Sequence, residues 1–157
     1  MDFDATDLRL LDLLQTDASL SNQALAEQAG TSPATALRRV RRLVDEGVIE
    51  RRVALLNPDR LGAGLTALVE ITLDRQGAEH LQAFEERAVA DAAVQQCYRV
   101  SPGPDFVLVL HVPDMTAYHA LVQRLFTQDA NVRNVKSFFS VKRGKFDLRL
   151  PLPLPLV

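Results

Sequence analysis

The stretch Ser32-Pro33-Ala34-Thr35-Ala36-Leu37-Arg38-Arg39-Val40-Arg41-Arg42-Leu43-Val44-Asp45-Glu46-Gly47 decides how this chain folds. Ser32 supplies a capping hydroxyl and Pro33 takes the first helical position, where no backbone donor is needed, so the pair starts a helix. Gly47 ends it by taking the left-handed conformation. At 100° per residue, Leu37, Val40 and Val44 form an i, i+3, i+7 stripe predicted to face the core. Thr35, Arg38, Arg39 and Arg42 then fall on the opposite side, with Arg41 nearer the core edge. Four arginines within five positions are either a solvated helix face or a surface for a polyanion.

What precedes this helix favours the polyanion. Ser21 caps a short helix with Leu25, Ala26 and Ala29 on its apolar face, and Gly30 stops it just before Ser32. Upstream again, Asp4 as N-cap with Asp7 three residues later predicts a first helix over residues 6–16, its apolar positions being Leu8, Leu11 and Leu14. Two short helices joined by a tight turn, the second charged on its outer face, read as a helix-turn-helix. A helix lying in the major groove needs apolar anchorage behind and guanidinium forks in front. Ser32, Thr35, Arg38, Arg39 and Arg42 are therefore the candidate DNA contacts. Arg51 and Arg52, on the β-prone stretch after Gly47, are either phosphate clamps on a wing or plain exposed strand residues.

The net charge of −2 over 157 residues, from 18 Lys and Arg against 20 Asp and Glu, conceals this asymmetry. Residues 1–30 hold one Arg against six acidic residues, whereas residues 31–52 hold six Arg against three. Such a local basic stripe is the electrostatic footprint of a nucleic-acid contact. A chain of this size buries roughly two-thirds of its unfolded surface and needs no disulfide or structural metal to fold. Cys97 has no partner cysteine, which fits a reducing compartment. The opening Met1-Asp2-Phe3-Asp4 lacks the features of a signal peptide, and no apolar run is long enough for a membrane span, so a cytoplasmic protein without membrane partners is expected.

The rest of the chain alternates strand and helix. Strands are predicted at 65–74, 94–101, 105–112 and 132–143, with helices at 77–90 and 114–128. This βαββαβ order is the ferredoxin-like plan. The expected fold class is thus α+β: an N-terminal winged helix-turn-helix over residues 1–50, a wing or hinge strand and linker over 51–63, and a ferredoxin-like domain over 64–157. Val107, Val109 and His111 alternate with Leu108, Leu110 and Val112, so this strand is apolar on nearly both faces and calls for a second cover, namely another subunit. The closing Pro151-Leu152-Pro153-Leu154-Pro155 loses every second backbone donor and is expected to be extended, at a sheet edge or across a neighbour.

No constellation for catalysis or metal binding emerges. His80, His111 and His119 do not cluster; a His111/His119 pair lacks a third ligand at a recognisable spacing, and packed or surface roles account for them. Cys97 alternates with Tyr98 and reads as a small core residue. Ser, His and Asp occur without a nucleophile elbow. No catalytic residue, metal or cofactor is assigned.

The fragments Asp4-x-x-Asp7-x-x-Leu10-Leu11, Ser21-Asn22-x-x-Leu25-Ala26 and Arg39-Val40-x-x-Leu43-x-x-x-Gly47-Val48-Ile49, followed by Leu56-Asn57-Pro58, Leu61-Gly62 and Val112-Pro113-Asp114-Met115-x-x-Tyr118, together resemble the Lrp/AsnC (feast/famine) regulators across essentially the whole chain. The resemblance implies a winged helix-turn-helix followed by a RAM-type effector domain. It implies a sequence-specific DNA-binding transcriptional regulator, double-stranded operator DNA as partner, and a homodimer that assembles further, for instance into an octamer. It also implies an amino acid or similar small molecule bound between dimers. That family marks its effector loop with a Gly-Asp-Tyr/Phe-Asp-like turn, where this chain reads Ser101-Pro102-Gly103-Pro104-Asp105-Phe106. Only the final Asp and the aromatic after it match, and the two prolines remove backbone donors. Asp105 either holds a ligand ammonium or is a turn-forming Asp at a strand start. Gly103 would allow close approach beside Pro104, and Ser101 or Ser137 would supply hydroxyls. Siroheme decarboxylases resemble the same family, so an enzyme on this fold is one alternative and an effector-independent architectural DNA binder is another; an Arg-rich recognition helix has no use in the enzyme.

Overall fold

The structure is a computed structural model and describes residues 2–61 and 64–153; Gly62 and the Leu154-Pro155 end of the proline tail lie outside the described residues. The chain forms two compact units, one of Met1–Leu56 with Lys145–Val157 and the other of Asn57–Gly144. The tail therefore belongs with the N-terminal unit. The expected boundary kept all of 64–157 together, and composition says nothing about where an extended segment docks.

The N-terminal unit holds three helices, α1 (Ala5–Thr16), α2 (Asn22–Gln28) and α3 (Pro33–Asp45). Each starts on a side-chain cap. Asp4 and Asp7 form a reciprocal capping box on α1, Ser21 accepts from the Ala24 N–H on α2, and Ser32 accepts from the Thr35 N–H on α3. Gly30 and Gly47 have φ of 68° and 72°, the left-handed stops read from sequence. Leu10, Leu25, Ala26, Ala29, Ala36 and Val40 form the core. Residues 51–56 form no strand: they join no ladder, and a β-prone sequence without a partner has nothing to pair its backbone donors with.

The helix faces differ from those expected. On α3 the buried stripe is Ala36, Val40 and Leu43, while Leu37 and Val44 are 53% and 45% exposed. Alanines at 26, 29 and 36 let α2 and α3 approach closely, and that contact, rather than the larger Leu37, sets the rotation of α3. On α1 the buried positions are Asp7 and Leu10, with Leu13 and Leu14 partly buried; the expected Leu8 and Leu11 lie one step round the helix.

The C-terminal unit has β1 (Leu65–Leu73), α4 (Ala78–Ala90), β2 (Val94–Arg99), β3 (Phe106–Val112), α5 (Met115–Val122), which continues as a π-helical turn over Gln123–Thr127, and β4 (Val132–Phe139). All neighbouring strands are antiparallel in the order β2-β3-β1-β4, the ferredoxin-like arrangement. Its core lies on the helix-covered face. Val69, Ile71, Leu73, Phe106, Leu108 and Leu110 pack there against Phe84 of α4 and Leu121 and Phe126 of the α5 segment. Phe84 sits 4.8 Å from Phe106, centroid to centroid, within aromatic pairing range. Among the described residues no helix of this unit covers the other face, which carries Leu68 opposite Val109 on one side and Phe138 on the other.

Candidate functional site

The acidic start of α1 and the arginines of α3 meet. Asp7, 2% exposed, accepts from Arg39 Nη1 at 2.9 Å through Oδ1 and from Arg42 Nη2 at 2.7 Å through Oδ2. Arg39 Nη1 also reaches Asp4 Oδ2 at 2.6 Å. A carboxylate this buried is tolerable only when paired, and two guanidinium groups pair it. The backbone N–H of Asp7 and the Arg39 side chain hold the Asp4 carboxyl below its ordinary value. Arg39, raised by its bonds to Asp4 and Asp7, leaves Nε buried without a partner.

Two of the predicted DNA contacts are therefore committed within the protein, Arg39 most completely. Arg42 is half exposed and lies 3.9 Å from Glu46 as well. Arg38 and Arg41, in contrast, are exposed, and their guanidinium groups hydrogen-bond to nothing among the described residues. With the buried stripe at Ala36, Val40 and Leu43, Arg41 turns outward beside Arg38, correcting its expected place at the core edge. The sequence carries the signal: Ala36-Val40-Leu43 is as good an apolar stripe, at i, i+4, i+7, as Leu37-Val40-Val44, and the acids at 4 and 7 call for a basic neighbour. Ser32 and Thr35 bond to each other, hydroxyl to hydroxyl at 2.9 Å, at the start of α3. Asn22 Nδ2 donates to the Pro33 carbonyl at 2.8 Å and fixes α2 against that start. Arg51 and Arg52 are exposed and, with Leu37, Arg41, Val44 and Ile49, line a groove along α3.

In the other unit, Ser101, Pro102 and Gly103 form the exposed part of the loop between β2 and β3, and Gly103 has φ of 126°. Asp105 anchors the loop. Its Oδ2 accepts from the Leu73 N–H at 2.7 Å and from Gln76 Nε2 at 3.2 Å, and its own N–H donates to the Ile71 carbonyl at 2.8 Å. Asp105 thus ties the β2–β3 loop to the end of β1, with Oδ1 left without a partner among the described residues. Within one chain Ser137 does not join this loop. On β4 it pairs with Val69 of β1, whereas Asp105 follows the register of β3 past Ile71, which separates them by about 14 Å, three residues along and two strands across. The Ser137 hydroxyl instead bonds to the Tyr118 hydroxyl.

Each of the three histidines has a neighbour. His111 Nδ1 lies 3.2 Å from Thr66 Oγ1, His80 lies beside Glu79, and His119 packs against Tyr118. Burial and Glu85 push the Cys97 thiol up, against the pull of Arg99, which disfavours the thiolate a nucleophile needs. Among the described residues no cluster of His, Cys, Asp or Glu could hold a metal, and no helix is long and apolar enough to cross a membrane.

A profile described as winged helix-turn-helix DNA-binding matches residues 3–50, and one described as the Lrp/AsnC ligand binding domain matches residues 66–150. The chain belongs to the Lrp/AsnC family of transcriptional regulators. It is 36% identical over 149 residues to a leucine-responsive regulatory protein of Klebsiella pneumoniae, covering 95% of this chain and 91% of that protein. Over 144 residues it is also 36% identical to an uncharacterized HTH-type transcriptional regulator of Haemophilus influenzae, covering 92% and 86%. Among solved structures, an AsnC family transcriptional regulator from Agrobacterium tumefaciens superposes with a TM-score of 0.88 at 34% identity, over 98% of this chain and 100% of that one. A transcriptional regulator from Neisseria meningitidis, solved as a complex with L-Met, superposes with a TM-score of 0.86 at 28% identity, over 97% and 98%. This Lrp/AsnC protein is a transcriptional regulator with a DNA-binding helix-turn-helix and a ligand-binding domain.

Proposed function

We propose that this Lrp/AsnC regulator reads a specific operator with the outer face of α3 and answers to an amino acid held at its β2–β3 loop. The observation that carries the DNA half is the division of labour among the four arginines. Arg39 and Arg42 fasten α3 to α1 through Asp7, whereas Arg38 and Arg41 stand exposed and uncommitted. A guanidinium fork with no internal partner is free to take a guanine edge or a phosphate without first breaking an ion pair. Arg42, Ser32 and Thr35 flank that face, and Arg51 and Arg52 extend the basic surface.

The ligand half rests on Asp105 and on the L-Met complex of the Neisseria regulator. One carboxylate oxygen of Asp105 is engaged and the other is available to an ammonium group, with Ser101 and Gly103 exposed beside it. The uncovered sheet face, where Leu68 and Phe138 are 43% and 45% exposed, supports a homodimer formed face to face, and two such dimers would bring two of these loops together. An oligomer of that kind places two α3 helices on one DNA, about 34 to 36 Å apart or a multiple of it.

The experiment is a titration of the protein against its own upstream DNA, repeated with each common amino acid. Specific binding that one or more amino acids shifts supports both halves. Binding that ignores sequence removes the recognition role of α3, and specific binding indifferent to every amino acid leaves an effector-independent regulator.

A further inference from the structure

The tail borders a groove beside α1, an arrangement that the DNA-reading and ligand-binding roles do not explain. Leu11 and Leu14 of α1 form one wall, residues 48–55 form another, and Leu148, Leu150 and Leu152 of the tail form a third. Gln15 holds the tail there. Gln15 Nε2 donates to the Leu150 carbonyl at 2.9 Å, and the Leu150 N–H donates to Gln15 Oε1, also at 2.9 Å. A primary amide has one acceptor and two donor hydrogens, so it satisfies both backbone groups of one extended residue as a neighbouring strand would.

We propose that α1 carries a docking site for an extended segment and that its occupant is this chain's own tail, residues 147–153, acting as a strap over the segment that leaves the helix-turn-helix. Three further features fit this occupant. Asp12 Oδ1 takes the same Gln15 amide at 3.3 Å and so orients it toward the tail. Arg149 folds back on Asp147 through bonds of 3.0 to 3.3 Å, and the Arg149 N–H donates to Asp147 Oδ1 at 3.0 Å, which shapes the tail ahead of Leu150. Alternation of Leu with Pro151 and Pro153 keeps the segment extended and lowers the entropy lost on docking, while the leucines at every second position share one side. Because the chain divides at residues 56 and 144, the docked tail gives the DNA-binding unit two covalent leads to the ligand-binding unit instead of one.

The test needs no DNA and no effector, so its outcome is independent of the operator reading. Limited trypsin digestion of the full chain is followed by mass spectrometry for cleavage after Arg149, the bond next to the anchored residue. With the strap docked, this cleavage is expected to be at least about tenfold slower than in Gln15→Ala, because protease needs the segment released. The double variant Leu148→Ser with Leu152→Ser touches no core residue and should show the same acceleration with an unchanged circular dichroism spectrum. Equal cleavage rates in all three proteins would overturn the proposal. Protection in the parent that disappears on dilution would place the tail on a second copy and overturn the strap within one chain.

Discussion

Asp7 and Arg39 join the first turn of α1 to the middle of α3 at 2.9 Å, across 32 residues of sequence. The pair explains why a residue expected to read DNA is turned toward the protein, and it gives the acidic N-terminus a structural purpose. Removing the carboxylate leaves two guanidinium groups facing each other, although both reach solvent and are partly rehydrated. Asp7→Ala is therefore expected to destabilise the N-terminal unit by about 2 kcal/mol, below the range for a fully buried pair. Thermal melts should show it, and Arg39→Ala should lose stability in the same unit.

Arg38→Ala and Arg41→Ala should behave in the opposite way. Neither side chain has an internal partner among the described residues, so melting should be unchanged while operator affinity falls by about 1 to 3 kcal/mol for a lost bidentate base contact. A loss uniform across DNA sequences would instead assign the residue to phosphate. Binding at the parent's level in both variants would show that this face does not read DNA.

Caps and stops were legible because they are local. Asp4, Ser21, Ser32, Gly30 and Gly47 each act within a few residues of themselves, and all five perform the role read from sequence. The four strands of the ferredoxin-like order were legible too, since a near-continuous apolar run such as Phe106–Val112 is a property of one segment, whereas the strand expected after Gly47 does not form because pairing needs a partner elsewhere in the chain. What sequence left open was rotation and reach. Two apolar stripes on α3 were available, and only the Ala26, Ala29 and Ala36 packing chooses between them. The partner of Gln15 lies 135 residues away, and no periodicity encodes such a contact. Within one chain the register of β4 sets Ser137 apart from the β2–β3 loop, and a single sequence does not display register.

The uncovered sheet face gives a third prediction. Leu68 pairs with Val109 on β3 and with Phe138 on β4, so the three form one apolar row across the sheet. Leu68→Glu would place two carboxylates against each other in a face-to-face dimer while leaving the buried face of β1 untouched. The dimer should weaken at least tenfold, equivalent to about 1.4 kcal/mol, as read by light scattering over a dilution series. An unchanged oligomer would mean that the sheet face is not the contact.

Acid should loosen the C-terminal unit through Asp91. Arg124 Nε and Nη2 grip its carboxylate at 2.7 and 3.0 Å, tying the end of α4 to the π-helical turn, and this grip holds the carboxyl below its ordinary 3.8 despite the opposing effect of burial. A carboxyl whose folded value is depressed contributes stability that is complete above the unfolded value and is lost as pH falls through the folded one. Stability measured by urea unfolding should thus decline from about pH 4 downward, and Arg124→Met should flatten that decline. A parent and variant with parallel pH profiles would remove Asp91 as the cause.

One substitution separates the structural role of Asp105 from the ligand-binding role proposed for it. Its Oδ2 holds the Leu73 N–H at 2.7 Å, a bond that a neutral amide oxygen can also accept, whereas balancing a ligand ammonium requires the charge. In Asp105→Asn the loop should therefore stay anchored and melting should change by less than about 1 kcal/mol, while affinity for a bound amino acid falls by about 1.5 to 3 kcal/mol, the worth of a hydrogen bond to a charged group. Asp105→Ala removes the acceptor as well and should lose both affinity and stability. The ligand-free protein should bind DNA with parental affinity in the Asn variant, because an effector acts only through its different affinities for two states of the protein. Calorimetry with the amino acid that shifts operator binding decides the matter. If Asn at 105 binds it as tightly as Asp does, the ammonium is held by another group and Asp105 serves the turn alone.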